Sequence, residues 1–375
     1  MSGSRGVTAL IPAYNAEATV VRAIESVMGQ VDHILVWDDG SVDNTVKRVR
    51  AMGIPHLTCL QSGSNKGVGA TRQRLLQACE SDIAVWLDAD DEFLEGRVAR
   101  LRNYIDAGAQ WVFDAAELVD AADGRFIRSL PIPDFLFQHR SGLLWEFARN
   151  YIPSLGWAMV SVSAARKIGY REELKQAEDY DHLLRAILAE GDIRFCTETG
   201  YRQYDLPGSV SRDIKRQTGF MQNVLSSLDG SSIGRLLEQS ELCREDRSLI
   251  WAYYLARTEA WHKLLDYVDT QPDSHWELAF LQGVAHFCCG NFEAAARAFS
   301  ASLEVRASAC GYNNLGVSLL AGGDQSGKTY ISRALEIMPH YSDAKNNNHV
   351  LNGAEGCKLL ITRIPLREVP IRDRY

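Results

Sequence analysis

The chain has 375 residues, 46% hydrophobic and 23% charged, an ordinary globular composition with room for two domains. Its formal charge of −8 offers no overall basic field to nucleic acid or to an anionic membrane surface. No apolar run reaches the length of about 18 residues that a spanning helix needs, and Met1 to Gly6 precede no signal-peptide core, so a cytoplasmic chain is expected.

In chain order, Val7–Ile11 reads as a short apolar strand stopped by Pro12, with Ala13-Tyr14-Asn15 as the turn and Asn15 as the N-cap of a helix. Val20, Ala23, Ile24, Val27 and Met28 recur at helical spacing up to Gly29. His33–Trp37 is a second strand ending in Asp38-Asp39-Gly40-Ser41, followed by a helix lined by Val42, Val46, Val49 and Met52. His56–Leu60 is a third strand, and a Gly/Ser/Asn turn at 62–67 opens a helix carrying Val68, Leu75, Leu76 and Cys79. The fourth strand, Ile83–Leu87, is apolar without alternation, as a strand buried on both faces reads. It ends in Asp88-Ala89-Asp90-Asp91. Carboxylates so close to a core are costly unless compensated, and a divalent cation with oxygen ligands, carrying phosphates, is the usual solution.

Alternating strands and helices with short loops predict an open parallel α/β sheet. The polar residues gather at the strands' carboxyl ends, in Tyr14-Asn15, Asp38-Asp39, Asn65-Lys66 and Asp88-Asp90, where such sheets bind ligands. Acidic loops, an amide-rich turn opening a helix, and nearby Lys66 and Arg72 suit a nucleoside diphosphate. No GxGxxG follows the first strand, which disfavours a dinucleotide-binding domain.

Four motifs in order, Pro12-Ala13-Tyr14-Asn15, Asp38-Asp39-Gly40-Ser41-Val42, Asn65-Lys66-Gly67 and Asp88-Ala89-Asp90-Asp91, resemble family 2 glycosyltransferases of the GT-A fold. The usual DGST is DGSV here. The resemblance implies a mixed α/β sheet with helices on both faces and a nucleotide-sugar donor, usually a UDP-sugar. Asp38 and Asp39 would contact base and ribose beside Pro12–Asn15. Asp88-Ala89-Asp90 would be the DxD signature that holds ribose and the metal diphosphate, with Asp90 and Asp88 on Mg²⁺ or Mn²⁺.

Beyond position 107 the pattern is less regular. Trp111-Val112-Phe113 and Gly156–Val160 read as strands, and Pro131, Pro133 and nearby aromatics mark a loop-rich stretch that could shape an acceptor pocket. Ala177-Glu178-Asp179-Tyr180-Asp181 opens a helix, where the dipole favours acids for structural reasons alone. Its place about ninety residues beyond the DxD motif resembles the family's ED motif. That implies Asp179 as general base and Glu178 as an orienting residue, an inverting arrangement that leaves a retaining one open. Trp157 and Asp91 are candidate acceptor contacts, and Arg202 or Arg212 a candidate diphosphate contact. Tyr204 stands where relatives often carry a metal-binding His. The QxxRW motif of processive synthases is absent, so single transfer is expected.

From about 216 strand signals vanish. Gly283, Ala295 and Phe299, then Gly316, Ala334 and Pro339, resemble tetratricopeptide helix pairs, about 34 residues per unit. The expected division is a catalytic domain over 1–215, an all-α helical-repeat domain over 216–355 and a basic tail over 356–375. The repeats would serve a peptide contact or a homodimer. Gly322–Thr329 satisfies GxxxxGK[ST], but fewer than fifty residues follow, too few for a phosphate-loop domain. The eight cysteines form no CxxC pair and the histidines no HxxxH, so buried thiols in a reducing compartment are expected rather than disulfides or zinc.

The expected activity is transfer of a sugar to an acceptor saccharide, with a peptide or a hydroxymethylated nucleobase as other acceptors. A nucleotidyltransferase would need a Gly-rich basic loop after the first strand, which Pro12–Asn15 is not. A catalytically inactive helical scaffold is the non-enzymatic alternative.

Overall fold

The computed structural model describes residues 6–138, 140–152, 156–206, 214–271, 275–353 and 358–365, with the side chains of 214–217 left undescribed. By its contacts the chain forms two units, 1–146 with 150–241, and 242–375 with 147–149.

The first unit is built on one nine-stranded sheet. Its strands are β1 (Val7–Ala13), β2 (His33–Asp38), β3 (Leu57–Gln61), β4 (Ile83–Trp86), β5 (Glu92–Phe93), β6 (Trp111–Asp120), β7 (Phe126–Leu130), β8 (Met159–Ser161) and β9 (Ile193–Asp205). The order is β3-β2-β1-β4-β8-β6-β9-β5, with β7 paired to the side of β6. The β3-β2-β1-β4 half is parallel, and β8 then joins β4 and β6 antiparallel, so the sheet is mixed.

Alternate residues of β1 face opposite layers. Val7, Ala9, Ile11 and Ala13 join Ile34, Val36, Val85 and Leu87 in a core against Val20, Ala23, Ile24 and Val27 of helix Val20–Val27 and Val98, Leu101 and Ile105 of helix Arg97–Asp106. Helix Val68–Ala78 packs on β1 and β2 as well, and Leu10, Ala84 and Trp86, outside that core, are also buried. With all four residues of β4 buried, the continuous apolar run is explained by cover on both faces.

The chain leaves β1 for β2 and β3 on one side, then returns to place β4 on the other side of β1. That is a switch point, and the ends of β1 and β4 diverge there into Tyr14-Asn15 and Asp88–Asp91. Asn15 is not a helix cap. Helix Val20–Val27 begins four residues after Ala16, whose O accepts from Thr19 N and Val20 N, while Asn15 ties the β1 loop to the β2 loop.

The long parallel pairing of β6 with β9 is irregular between Asp114 and Ala116, where Thr197–Gly200 bulges. Gly200 is required at that bulge, since a Cβ would lie 2.2 Å from Asp114 Oδ2 and 2.7 Å from Arg97 Cγ. Helices Ile214–Ser226 and Gly230–Gln239, which the sequence pattern groups with the helical part, belong to the first unit, whose last residue is Glu241.

The second unit is helical. Helices Arg244–Arg257, Trp261–Val268, Trp276–Cys288, Phe292–Val305, Ala309–Ala321, Gly327–Ile337 and Ser342–Leu351 each pack on the next. Small residues allow close approach: Gly316 and Gly327 face each other, so a Cβ on either would come within 2.6 Å of the other's carbonyl oxygen. The GxxxxGK[ST] stretch is therefore an inter-helix turn, with its last glycine spent on packing. The seven described cysteines are free. No helix of the described residues is long and apolar enough to cross a membrane.

Candidate functional site: an acidic rim at the ends of β1, β2 and β4

The loops after β1 and β2 brace one another. Asn15, at φ 48°, donates its N–H to Ser41 Oγ at 2.8 Å and accepts from Val42 N at 3.0 Å. Asp38 has no exposed surface, and its carboxylate accepts from Gly40 N at 3.1 Å, Ser41 N at 2.9 Å and Ser41 Oγ. Asp39, also buried, accepts from Lys66 N at 3.0 Å and Gly67 N at 2.8 Å. Here the expectation needs correction. Asp38 shapes its own loop and has no surface for base or ribose, and Asp39 holds the Asn65–Gly67 turn. Gly40, at φ 75°, lets the loops meet, since a Cβ there would lie 2.7 Å from Ser64 C. Tyr14, Asn65 and Lys66 are exposed on this rim, beside the strand-borne Pro12 and Ala13.

Arg72 is the hub of the site. It is 3% exposed, and its Nη2 bonds Asp88 Oδ1 at 2.7 Å, its Nε bonds Glu178 Oε1 at 3.0 Å and its Nη1 bonds Gly156 O at 3.1 Å. Its guanidinium lies over the Trp86 ring, 4.9 Å from the centroid. So enclosed, Arg72 is not positioned to meet a diphosphate, contrary to the sequence expectation. It links the acidic loop after β4 to the start of helix Glu178–Leu188, bringing Asp88, Glu178 and Asp179 together across about ninety positions of chain. Ala177, at φ 59°, places that helix start in a conformation L-residues seldom adopt. Gly69 seats it, since a Cβ there would lie 2.5 Å from Leu174 O and 3.5 Å from Glu178 Cβ.

The charges do not cancel around this hub. Burial, and after it Asp88, raises the Asp90 carboxyl to about 6. Burial and Asp179 push Glu178 up to about 8 against the pull of Arg72. Asp179 is raised by burial, with Arg72 pulling down. Its Oδ1 accepts from Tyr180 N at 2.7 Å, which leaves Oδ2 the oxygen to accept a further proton.

Asp91 and Trp157 are not acceptor contacts in this structure. Asp91 is buried, accepting from Tyr201 Oη and Tyr204 N, each at 2.9 Å. Trp157 is wholly enclosed, stacked on Tyr201 at 4.4 Å and bonded through Nε1 to Asp114 O. Arg202 is held between Glu117 at 2.6 Å and Glu92 at 3.3 Å, and Arg212 lies outside the described residues. Tyr204 bonds Glu92 through its hydroxyl at 2.9 Å, under the Arg22 guanidinium.

Two contributors escape sequence reasoning. Arg22 reaches Asp90 O from helix Val20–Val27 and pairs with Glu92 at 3.2 Å. In an amphipathic helix pattern it reads as a surface arginine. Tyr201 accepts from Asp88 N at 3.2 Å while bonding Asp91, so one hydroxyl fixes both ends of the acidic loop. Nothing in the pattern around Tyr201 signals that.

Among the described residues no three His, Cys, Asp or Glu side chains form a metal-holding group. Two do suit a shared ion. Arg72 bonds Asp88 through Oδ1, and Asp90 is raised by burial and then by Asp88, a pair that a cation would relieve. One or two carboxylates plus donor phosphates and water is the usual coordination of Mg²⁺.

The mixed sheet with its acidic rim at the β1/β4 switch point is GT-A-like. The chain resembles Staphylococcus aureus TarS residues 1–349 with a TM-score of 0.51 at 15% identity, over 90% of this chain and 92% of that one. The TarS structure with UDP-GlcNAc gives 0.52. Residues 8–169 match the sequence model of glycosyl transferase family 2. Curated relatives include the succinoglycan biosynthesis proteins ExoO and ExoU of Rhizobium meliloti, 29% and 28% identical. Those matches cover 56% of this chain and 63% and 66% of the relatives.

Proposed function

We propose that this protein is a glycosyltransferase that moves a sugar from a nucleotide donor, a UDP-sugar, to a saccharide hydroxyl with inversion. The observation that carries the proposal is the Arg72 hub, which sets Asp88 of the acidic loop beside Glu178 and Asp179. Relatives concerned with a polysaccharide, and a fold neighbour solved with UDP-GlcNAc, support the donor and acceptor classes.

In this reading Asp179 Oδ2 takes the acceptor hydroxyl's proton as that oxygen attacks the anomeric carbon. The bond from that carbon to the β-phosphate oxygen breaks, and the nucleoside diphosphate leaves on the opposite face. Burial raises the Asp179 carboxyl, which makes it a stronger base than a solvated carboxylate. Glu178, held by Arg72, orients the helix start that carries Asp179. Asp88 and Asp90 would hold Mg²⁺ or Mn²⁺, which when bound neutralises charge developing on the leaving diphosphate. Asp39 supports the loop carrying Asn65 and Lys66, and Pro12, Ala13, Tyr14 and Ala89 form the neighbouring wall for the nucleoside. The second unit, in this reading, is a short tetratricopeptide-like array.

A donor screen tests this. UDP-glucose, UDP-GlcNAc and related donors are incubated with saccharide, peptide and hydroxymethylated-DNA acceptors, with Mn²⁺ or with EDTA, and products are read by mass spectrometry. Transfer to saccharide with Mn²⁺ is expected. No turnover of any donor would leave the inactive-scaffold reading.

A further inference from the structure

Three aromatic rings of the first unit pack on one another at the surface. Phe135 meets Tyr151 edge to face at 4.8 Å between ring centres and Trp145 at 6.2 Å, and Trp145 meets Tyr151 at 6.3 Å. Solvent reaches all three: Phe135 is 38% exposed, and Trp145 and Tyr151 are half-buried. A lone exposed ring is ordinary, whereas several in mutual contact make the kind of patch that marks a ligand groove. The core does not call for Phe135, since Leu136 is the buried residue of its short helix, Phe135–Gln138.

Hydrogen bonds tie this patch to the proposed reaction centre. Tyr180, the residue after Asp179, is wholly buried and donates its hydroxyl to Glu146 O, next to Trp145. Glu146 Oε1 accepts from Tyr151 N at 3.0 Å and Ile152 N at 3.2 Å, which fixes Tyr151 near Trp145. Farther along, Gly156 O accepts from Arg72 at 3.1 Å, and a Cβ on Gly156 would lie 3.2 Å from Asp88 Oδ2. The segment carrying two of the rings is therefore anchored to the helix of Asp179 on one side and to the acidic loop on the other.

A pyranose is amphipathic, with hydroxyls around its rim and C–H groups on its faces. In a β-glucopyranose every hydroxyl is equatorial, so both faces are apolar and pack flat on aromatic rings. Pockets that join aromatic walls to a few polar groups suit such ligands.

We propose that Phe135, Trp145 and Tyr151 form an acceptor subsite that stacks the penultimate pyranose of an oligosaccharide, so that chains of sugars are taken in preference to a monosaccharide. The place of the terminal sugar, with its hydroxyl at Asp179, rests on the transferase reading. The three rings take the role on the acceptor side that the enclosed Trp157 does not have.

The test uses the full chain without donor, so that saccharide binding does not depend on turnover. Methyl β-glucoside, cellotriose and laminaritriose are titrated and followed by ligand-observed NMR. At least one trisaccharide is expected to bind about ten-fold or more tightly than the monoglucoside. Phe135→Leu, which keeps apolar volume and removes the ring, is expected to erase most of that advantage, and Phe135→Tyr to retain it. Phe137→Ala is the control: Phe137 is also 38% exposed in the same helix, but its ring lies 6.0 Å from Phe195. It is expected to change nothing. UDP titration with Mn²⁺ runs in parallel, and failure of the unaltered chain to bind UDP would count against the donor reading alone. No saccharide binding by the unaltered chain, equal affinity for the glucoside and both trisaccharides, or equal losses in Phe135→Leu and Phe137→Ala would overturn the proposal. So would unchanged saccharide binding in a Phe135→Leu chain that no longer sediments with phosphatidylglycerol vesicles, since the rings would then serve a lipid surface.

Discussion

Arg97 meets Asp114 through two parallel bonds of 2.8 Å, with side chains 0% and 1% exposed, whereas Arg72 divides its donors between Asp88 and Glu178. The first pair is closed: one cation, one anion, a further bond to Trp157 O, and the Phe93 ring 4.2 Å away. The second is open: one cation faces two carboxylates, with Asp90 and Asp179 nearby, and Asp88 keeps 33% of its side chain exposed. A closed pair is a framework, whereas the open cluster, with its excess of carboxylates, is where the proposed reading puts the cation and the substrate.

The largest effect that would break this comparison falls on the open cluster. Asp179→Asn is expected to lower transfer by about 10²–10⁴-fold while leaving donor affinity nearly unchanged. Full transfer activity in that variant would remove the base assignment. In the closed pair, Arg97→Met leaves Asp114 buried without its partner and is expected to cost about 3–5 kcal/mol in denaturant unfolding. A loss below about 1 kcal/mol, the range of exposed pairs, would mean the pair is not closed.

Trp157→Phe sharpens the boundary between framework and site. It gives up part of the Tyr201 stack and the Asp114 bond, and is expected to cost about 2 kcal/mol of stability. The acceptor KM should stay constant; a large rise in KM with stability intact would return Trp157 to the acceptor wall.

The smallest effect concerns His182, in which burial lowers the pKa from 6.5 to about 4. Its Nδ1 meets Gly169 O at 2.9 Å, and its Nε2 receives Trp111 Nε1 at 3.2 Å, a neutral arrangement. The unfolded chain takes up that proton first as pH falls, so stability is intact above about 6.5 and is lost progressively toward 4. Between pH 6.5 and 5.5 the loss is expected to be roughly 1 kcal/mol. His182→Gln should flatten that part of the pH profile of unfolding; an unchanged slope would contradict it.

Much of the parallel half of the sheet was legible because its strands are apolar runs with polar ends, the last of them closing in Asp88–Asp91. Strand β9 was not, since Thr197–Gly200 interrupts its pattern with a polar bulge that only the Arg97–Asp114 pair explains. Asp38, Asp39 and Arg72 were legible as belonging to the site but not in what they do there. Polarity at a strand end marks a rim, while the partner of each charge is set by residues distant in sequence. Trp157 misled for the same reason, because an aromatic beside a loop carries no sign of which side it faces.

The central claim is that Asp88 and Asp90 hold a donor's diphosphate through a divalent cation at the end of β4. Calorimetric titration of UDP into the unaltered chain and into Asp90→Ala, each with Mn²⁺ and with EDTA, tests it most directly. Binding by the unaltered chain with Mn²⁺, and in none of the other three cases, is the result predicted. Equal UDP affinity in EDTA, or in the Asp90→Ala chain, would contradict it.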